Sequence, residues 1–182
     1  MKGVVFTEFV DWIELRHGVP VLDAVLLDAE LPHGGAYTSA GNYDWGEMVA
    51  LLEAASARLA TTPGELLRAY GRHLFGVFAR QFPQLLGGAA SLFDFLERVG
   101  SFIHDEVAKL GIDTDLPPFS IRRGDTTFAL EYRSPRSTAE LAAGLVEGCL
   151  GHFGVVGSIR AASVGDVHRL AVTLQEAACP SR

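Results

Sequence analysis

Apolar residues return every third or fourth position up to Leu110 and, over much of the chain beyond it, every second position. Val5, Phe9, Trp12 and Ile13 predict an amphipathic helix that Gly18, suited to a left-handed C-terminal cap, should stop. A second short helix follows Pro20 through Val21, Leu22, Val25 and Leu26. Leu31 to Tyr43 is rich in Gly, Pro, Ser, Thr and Asn without a period, which predicts a loop. Asp44, with Glu47 three positions on, opens a helix through Met48, Leu51, Leu52 and Leu59. Thr62-Pro63-Gly64-Glu65 combines a Thr cap, Pro at the first helical position and Glu at the third, so another helix starts there. Its apolar face is Leu67, Tyr70, Leu74 and Phe78, and it ends near Phe82-Pro83. Gly87-Gly88 separates it from a further helix whose face is Phe93, Leu96, Gly100, Ile103 and Val107.

After Leu110 the period shortens. Phe119 and Ile121 alternate with polar neighbours, Arg123-Gly124-Asp125 supplies a turn, and Phe128, Leu130 and Tyr132 alternate again, which predicts a β-hairpin. A helix from about Thr138 to Phe153 carries Leu141, Leu145 and Cys149 on one face. Alternating stretches around Val155 to Val164 and Val167 to Leu174, joined by Gly165-Asp166, predict a second hairpin. The fold class is therefore α+β, with helices packed on a four-stranded antiparallel sheet. One domain spans residues 1–182, with a helical lobe at about 1–62 and an α+β lobe at about 63–182.

Composition narrows the functional classes. A chain of 182 residues, 48% hydrophobic, is long enough for one good core. Its formal charge of −7 and the lack of any Lys/Arg cluster argue against nucleic acid as a partner. No apolar run approaches a membrane span, and the start Met1-Lys2-Gly3-Val4-Val5-Phe6-Thr7-Glu8 meets a carboxylate too early for a signal peptide. A cytoplasmic, non-membrane protein is expected. Cys149 and Cys179, its two cysteines, lack a short-spaced partner, so neither a disulfide framework nor a zinc knuckle is predicted.

Two places suggest chemistry. His104 borders the apolar face of its helix, and because helical side chains lean toward the N-terminus, the ground before it is the turn of Gly100 and Ser101, almost free of side-chain volume. An imidazole presented across a cleared apolar surface suits an axial ligand to heme iron. The same position also suits a partly buried histidine bonded to its own helix. The second place is Tyr132-Arg133-Ser134-Pro135-Arg136. In an extended chain, alternate side chains share a side, so the Tyr132 phenol, the Ser134 hydroxyl and the Arg136 guanidinium would converge on one anion, helped by the N-terminus of the following helix. A pair of heme propionates would suit them.

The order of features resembles the heme-nitric oxide/oxygen binding (H-NOX) family, bacterial relatives of the heme domain of soluble guanylate cyclase. The resemblance rests on the Met-Lys-Gly start, Gly71-Arg72 with Phe78 and Phe82-Pro83 downstream, and His104 before Glu106-Val107. It continues through Pro117-Pro118, Tyr132-x-Ser134-x-Arg136 and Gly144-Leu145-Val146-Glu147-Gly148, and covers essentially the whole chain. It implies a b-type heme (iron protoporphyrin IX) between the two lobes, with His104 as its iron ligand and Tyr132, Ser134 and Arg136 on the propionates. Pro118 would press on the macrocycle and distort it, although a proline entering a strand there would serve as well. Val5, Phe9, Leu74, Phe78, Leu141 and Leu145 would form the distal wall by family position and helical spacing.

All six are apolar, and the family's oxygen-holding members resemble one another in a distal tyrosine where this chain has Leu141. The resemblance therefore implies a non-catalytic sensor of nitric oxide, with carbon monoxide as a further ligand and dioxygen disfavoured. A donor from outside that set, such as Tyr70 or His73, could still reach in. Gas binding would break the bond to His104 and release its helix, letting the macrocycle relax from Pro118 and one lobe rotate on the other. By family analogy the reader of the signal is a histidine kinase or a cyclic-di-GMP enzyme. Rival readings are a heme-less interaction module of the same fold and a redox or zinc-linked switch using Cys149. Cys149, His152, His168 and Cys179 lack the close ligand spacing of a zinc site. No Gly-x-Ser-x-Gly nucleophile motif or phosphate-binding glycine loop is present.

Overall fold

The computed structural model describes residues 1–99 and 119–175. Helix α1 (Gly3–His17) turns into α2 (Val19–Asp28) at Gly18, followed by α3 (Trp45–Leu59), α4 (Pro63–Gln81) and the short α5 (Pro83–Leu86). Helix α6 is described over residues 92–99. Strands β1 (Phe119–Arg123) and β2 (Thr127–Arg133) precede α7 (Ala139–His152), and β3 (Gly157–Val164) and β4 (Val167–Leu174) follow it. The sheet is antiparallel throughout, in the order β1-β2-β4-β3. This is the expected α+β arrangement.

Local sequence explains the boundaries. Gly18 has φ 85° and ψ 162°, a positive-φ conformation open to glycine, though with the extended ψ that starts α2 and not the left-handed cap the sequence suggests. Thr62 and Glu65 form the full reciprocal capping box of α4. At α3 only half of such a box exists. Asp44 accepts from the Gly46 N–H at 2.7 Å, while the Glu47 carboxylate instead accepts from the Tyr37 hydroxyl at 3.1 Å. Residues 31–43 run as turns and irregular backbone, tied to the N-terminus by a bridge between Lys2 and Asn42.

Two apolar cores result. The first joins α1, α2, α3 and α4, with Leu141 from α7; the second packs α6 and α7 on one face of the sheet. Helices α4 and α7 lie between them, crossing closely enough that Gly71 and Gly144 meet backbone to backbone. A Cβ on Gly71 would stand 2.9 Å from the Gly144 Cα and collide with the Leu141 carbonyl, and one on Gly144 would collide with the Arg68 carbonyl. Ion pairs brace this crossing: Arg68 binds Glu147 at 2.7 Å and Glu140 at 3.3 Å, and Arg72 shares Glu147. Burial pulls the Glu147 carboxyl upward, but the bonds from Arg68 and Arg72 outweigh it and hold the group below its ordinary range.

Among the described residues, no helix is long and apolar enough to cross a membrane.

Candidate cofactor site

The α4–α7 crossing sets the wall of the site. It brings Leu74 and Phe78 of α4 beside Leu141 and Leu145 of α7, and α1 adds Val5 and Phe9. Phe9, Leu74 and Leu141 are buried in the first core, and Val5, Phe78 and Leu145 are partly buried against it. The six residues expected in the distal wall thus join one apolar cluster from three helices. Helix α7 does not keep a single face, however. Its Leu141 and Leu145 meet the first core, whereas Cys149 is buried in the second, because each four-residue step turns the helix surface by roughly 40°.

Two polar side chains of α4 lie near this wall, and one of them, Tyr70, is committed elsewhere. Tyr70 is fully buried, and its hydroxyl donates to the Val5 carbonyl at 2.6 Å. Burial, and then the charges of Glu8 and Asp11, push this phenol well above its ordinary pKa, so it stays a neutral donor committed to α1. His73 lies with its ring 6.1 Å from that of Trp12 and 6.5 Å from that of Tyr70. Burial, then Arg80 and Arg16, hold its pKa below the usual histidine value, which keeps it neutral at pH 7. The bond of Tyr70 was not recognisable from sequence, since helical spacing does not reveal which backbone carbonyl a phenol meets.

The Tyr132-x-Ser134-x-Arg136 segment is only partly extended. Strand β2 ends at Arg133, leaving Tyr132 in the sheet and Ser134 and Arg136 in the turn that leads to α7. Tyr132 and Ser134 are buried, and Arg136 is partly so. The Arg136 N–H donates to the Ser134 Oγ at 3.2 Å, and the Thr138 N–H donates to the Arg136 carbonyl at 2.8 Å. The Tyr132 hydroxyl lies 3.1 Å from the Thr138 Oγ1. Burial raises the Tyr132 pKa against the opposing effect of that contact, so the phenol is neutral at pH 7. Alternation along a strand therefore accounts for Tyr132, while Ser134 and Arg136 are placed by the turn after β2, in which the Ser134 hydroxyl accepts from the Arg136 N–H.

His104 and Pro118, together with Asp105, Glu106, Pro117 and Cys179, lie outside the described residues. Cys149 is buried, and burial pushes its thiol up to about 12. His152 packs against the rings of Phe75 and Phe153. His168, considered above only for zinc, is buried beside Tyr132 and bonded to Ser134 and Ser163. Its proximity needed the strand register, which the alternating pattern alone leaves open. Among the described residues, no group of three or more His, Cys, Asp or Glu side chains could hold a metal.

An apolar cluster built from three helices, together with neutral hydroxyl groups and an arginine on the segment between β2 and α7, has the chemistry to hold a flat apolar group with acidic tails. The described residues thus fit a heme. A sequence model of the family described as Haem-NO-binding matches residues 2–160. Comparison with curated proteins found no match. Among solved structures, the fold is similar to the Fe(II) unliganded H-NOX protein from K. algicida at 29% identity, with a TM-score of 0.88 and all of both chains covered. It is similar to an H-NOX protein from S. oneidensis in the Fe(II)NO ligation state at 26% identity, with a TM-score of 0.86, over 97% of this chain and 100% of that one. The IWP-051-bound H-NOX from Shewanella woodyi in the Fe(II)CO ligation state is 33% identical, with a TM-score of 0.81, over 98% of this chain and 97% of that one.

Proposed function

The chain belongs to the haem-NO-binding (H-NOX) family of heme-based gas sensors, and on that ground we propose that it senses nitric oxide through a b-type heme, without catalysis of its own. Bound heme would supply a ferrous iron able to take a diatomic gas. The residues that would hold it are His104 on the iron, Tyr132, Ser134 and Arg136 on the propionates, and Pro118 against the macrocycle. Val5, Phe9, Leu74, Phe78, Leu141 and Leu145 would face the gas.

The observation that carries the choice of gas is the chemistry of that wall. Its six residues have no side-chain N–H or O–H, and the Tyr70 hydroxyl, buried in the same core, donates to the Val5 carbonyl. Dioxygen needs a donor to hold the charge it draws from iron, and nitric oxide does not, so the wall favours nitric oxide, admits carbon monoxide and disfavours dioxygen. Arg136, with the dipole of α7 behind it, suits the negative charge of a propionate.

The lobes, at about residues 1–62 and 63–182, would move against each other when the gas binds, and a separate effector in the cytoplasm would read the movement. A histidine kinase or a cyclic-di-GMP enzyme is the effector by family analogy alone.

Hemin reconstitution of the His104→Gly variant tests this reading. The variant should retain little heme, and added imidazole should restore it, since imidazole can replace the lost ligand. Full heme retention with an unchanged ferrous spectrum would show another residue on the iron. Failure of the unsubstituted protein to take up hemin would leave a heme-less interaction module in place of the sensor.

A further inference from the structure

We propose that His168 is a positioning residue for the heme, holding the Ser134–Arg136 turn against β4 so that the turn's side chains stay set for the propionates. This rests on the assignment of Tyr132, Ser134 and Arg136 to those propionates.

Sheet register brings the relevant groups into one row. His168 on β4 pairs with Tyr132 on β2 and with Ser163 on β3. Its imidazole is 3% exposed and lies 4.9 Å from the Tyr132 ring, inclined by 34°. One nitrogen, Nε2, is 3.1 Å from the Ser134 carbonyl oxygen, and the other, Nδ1, is 2.7 Å from the Ser163 Oγ. A carbonyl can only accept, so Nε2 must carry a proton. Ser163 can donate to a bare Nδ1 or accept from a protonated one. The bond to Ser134 therefore survives in both protonation states of the ring.

The consequence falls on the turn. The Ser134 N–H donates to the Asp166 carbonyl at 2.8 Å, in the turn between β3 and β4. With His168 on its carbonyl, both backbone polar groups of Ser134 are tied to the β3–β4 hairpin. Its hydroxyl accepts from the Arg136 N–H and sets where Arg136 leaves the chain. The Tyr132 ring is held by the face of the same imidazole. A single buried side chain thus touches the first residue of the motif, fixes the backbone of the second, and acts through it on the third.

The test is the rate at which holoprotein gives up heme to excess apomyoglobin, together with the propionate bending bands in the resonance Raman spectrum. His168→Phe keeps a ring on Tyr132 and removes the N–H. It should speed heme loss by about threefold to tenfold, the range expected for one hydrogen bond, and shift the propionate bands. His168→Gln, whose side-chain amide can donate to the Ser134 carbonyl, should restore most of the parental rate and bands.

Equal acceleration in both variants would show that His168 only packs, and a parental rate in His168→Phe would equally overturn the proposal. Arg136→Ala separates the two levels of the argument. If it releases heme no faster than the parent, the propionate assignment fails; if it does so faster while His168→Phe does not, only the role of His168 fails. Should His168→Phe fail to fold, His168→Leu takes its place, because it also lacks an N–H for the Ser134 carbonyl and is smaller than the ring it replaces. The same rise in rate and shift in bands would support the proposal, and parental values would overturn it.

Discussion

The Tyr70 phenol illustrates how one bond decides between two roles for a residue. From its place on the apolar face of α4 it could donate to a gas; bonded to the Val5 carbonyl at 2.6 Å, it fastens α4 to α1. Tyr70→Phe should therefore cost about 1 kcal/mol in urea unfolding and leave the gas preference as it was. A gain or loss of oxygen binding would return Tyr70 to the distal wall. Cys149 is decided in the same way by its surroundings. The sequence offers it as a redox residue, yet burial lifts its thiol from an ordinary 9 to about 12. The unfolded thiol ionises near 9 while the folded one keeps its proton, so the folded state binds more protons in between. Stability falls as pH rises across that window. Cys149 should stay unmodified by iodoacetamide in native protein at pH 8, as read by peptide mapping, and react once the chain is unfolded. These environments come from distant parts of the chain, which is why a residue's type and spacing did not reveal them.

Elements were easier to read than their contacts. The capping box of α4 and the Gly165-Asp166 hairpin follow from local chemistry, as do the two strands at residues 119–133, and the structure has all of them. The division of α7 between two cores was not legible, because a helix of small and apolar residues gives no sign of which stripe meets which neighbour. Its glycines show the difference. Gly144→Ala, where a Cβ would meet the Arg68 carbonyl, should destabilise by roughly 1–3 kcal/mol, visible as a lower Tm. Gly151→Ala, on the same helix with nothing within 4 Å of the added Cβ, should be neutral or raise Tm through better helix propensity. Equal effects at the two sites would mean that the close crossing of α4 and α7 does not limit packing there. For the motif at the end of β2, alternation accounted for Tyr132, but Ser134 and Arg136 owe their places to a turn that strand periodicity does not contain.

Across the whole molecule, the six apolar side chains of the proposed distal wall come from three helices that are far apart in sequence, and the α4–α7 crossing gathers them. The order of motifs along the chain made the family legible, since it samples every element of the fold at once. The claim of selectivity is narrower and rests on what the wall lacks. Leu141→Tyr would add a hydroxyl to it and should move the ferrous protein toward oxygen if the phenol reaches the gas, although a pocket shaped for leucine must shift to admit the ring. The most direct measurement is the absorption spectrum of the unsubstituted ferrous protein, taken under nitrogen, then in air-saturated buffer, then with nitric oxide. The Soret band should be the same under nitrogen and in air and should shift at once with nitric oxide. A stable, distinct spectrum in air would mean that a donor outside the six residues reaches the gas, and would contradict a nitric-oxide-selective site.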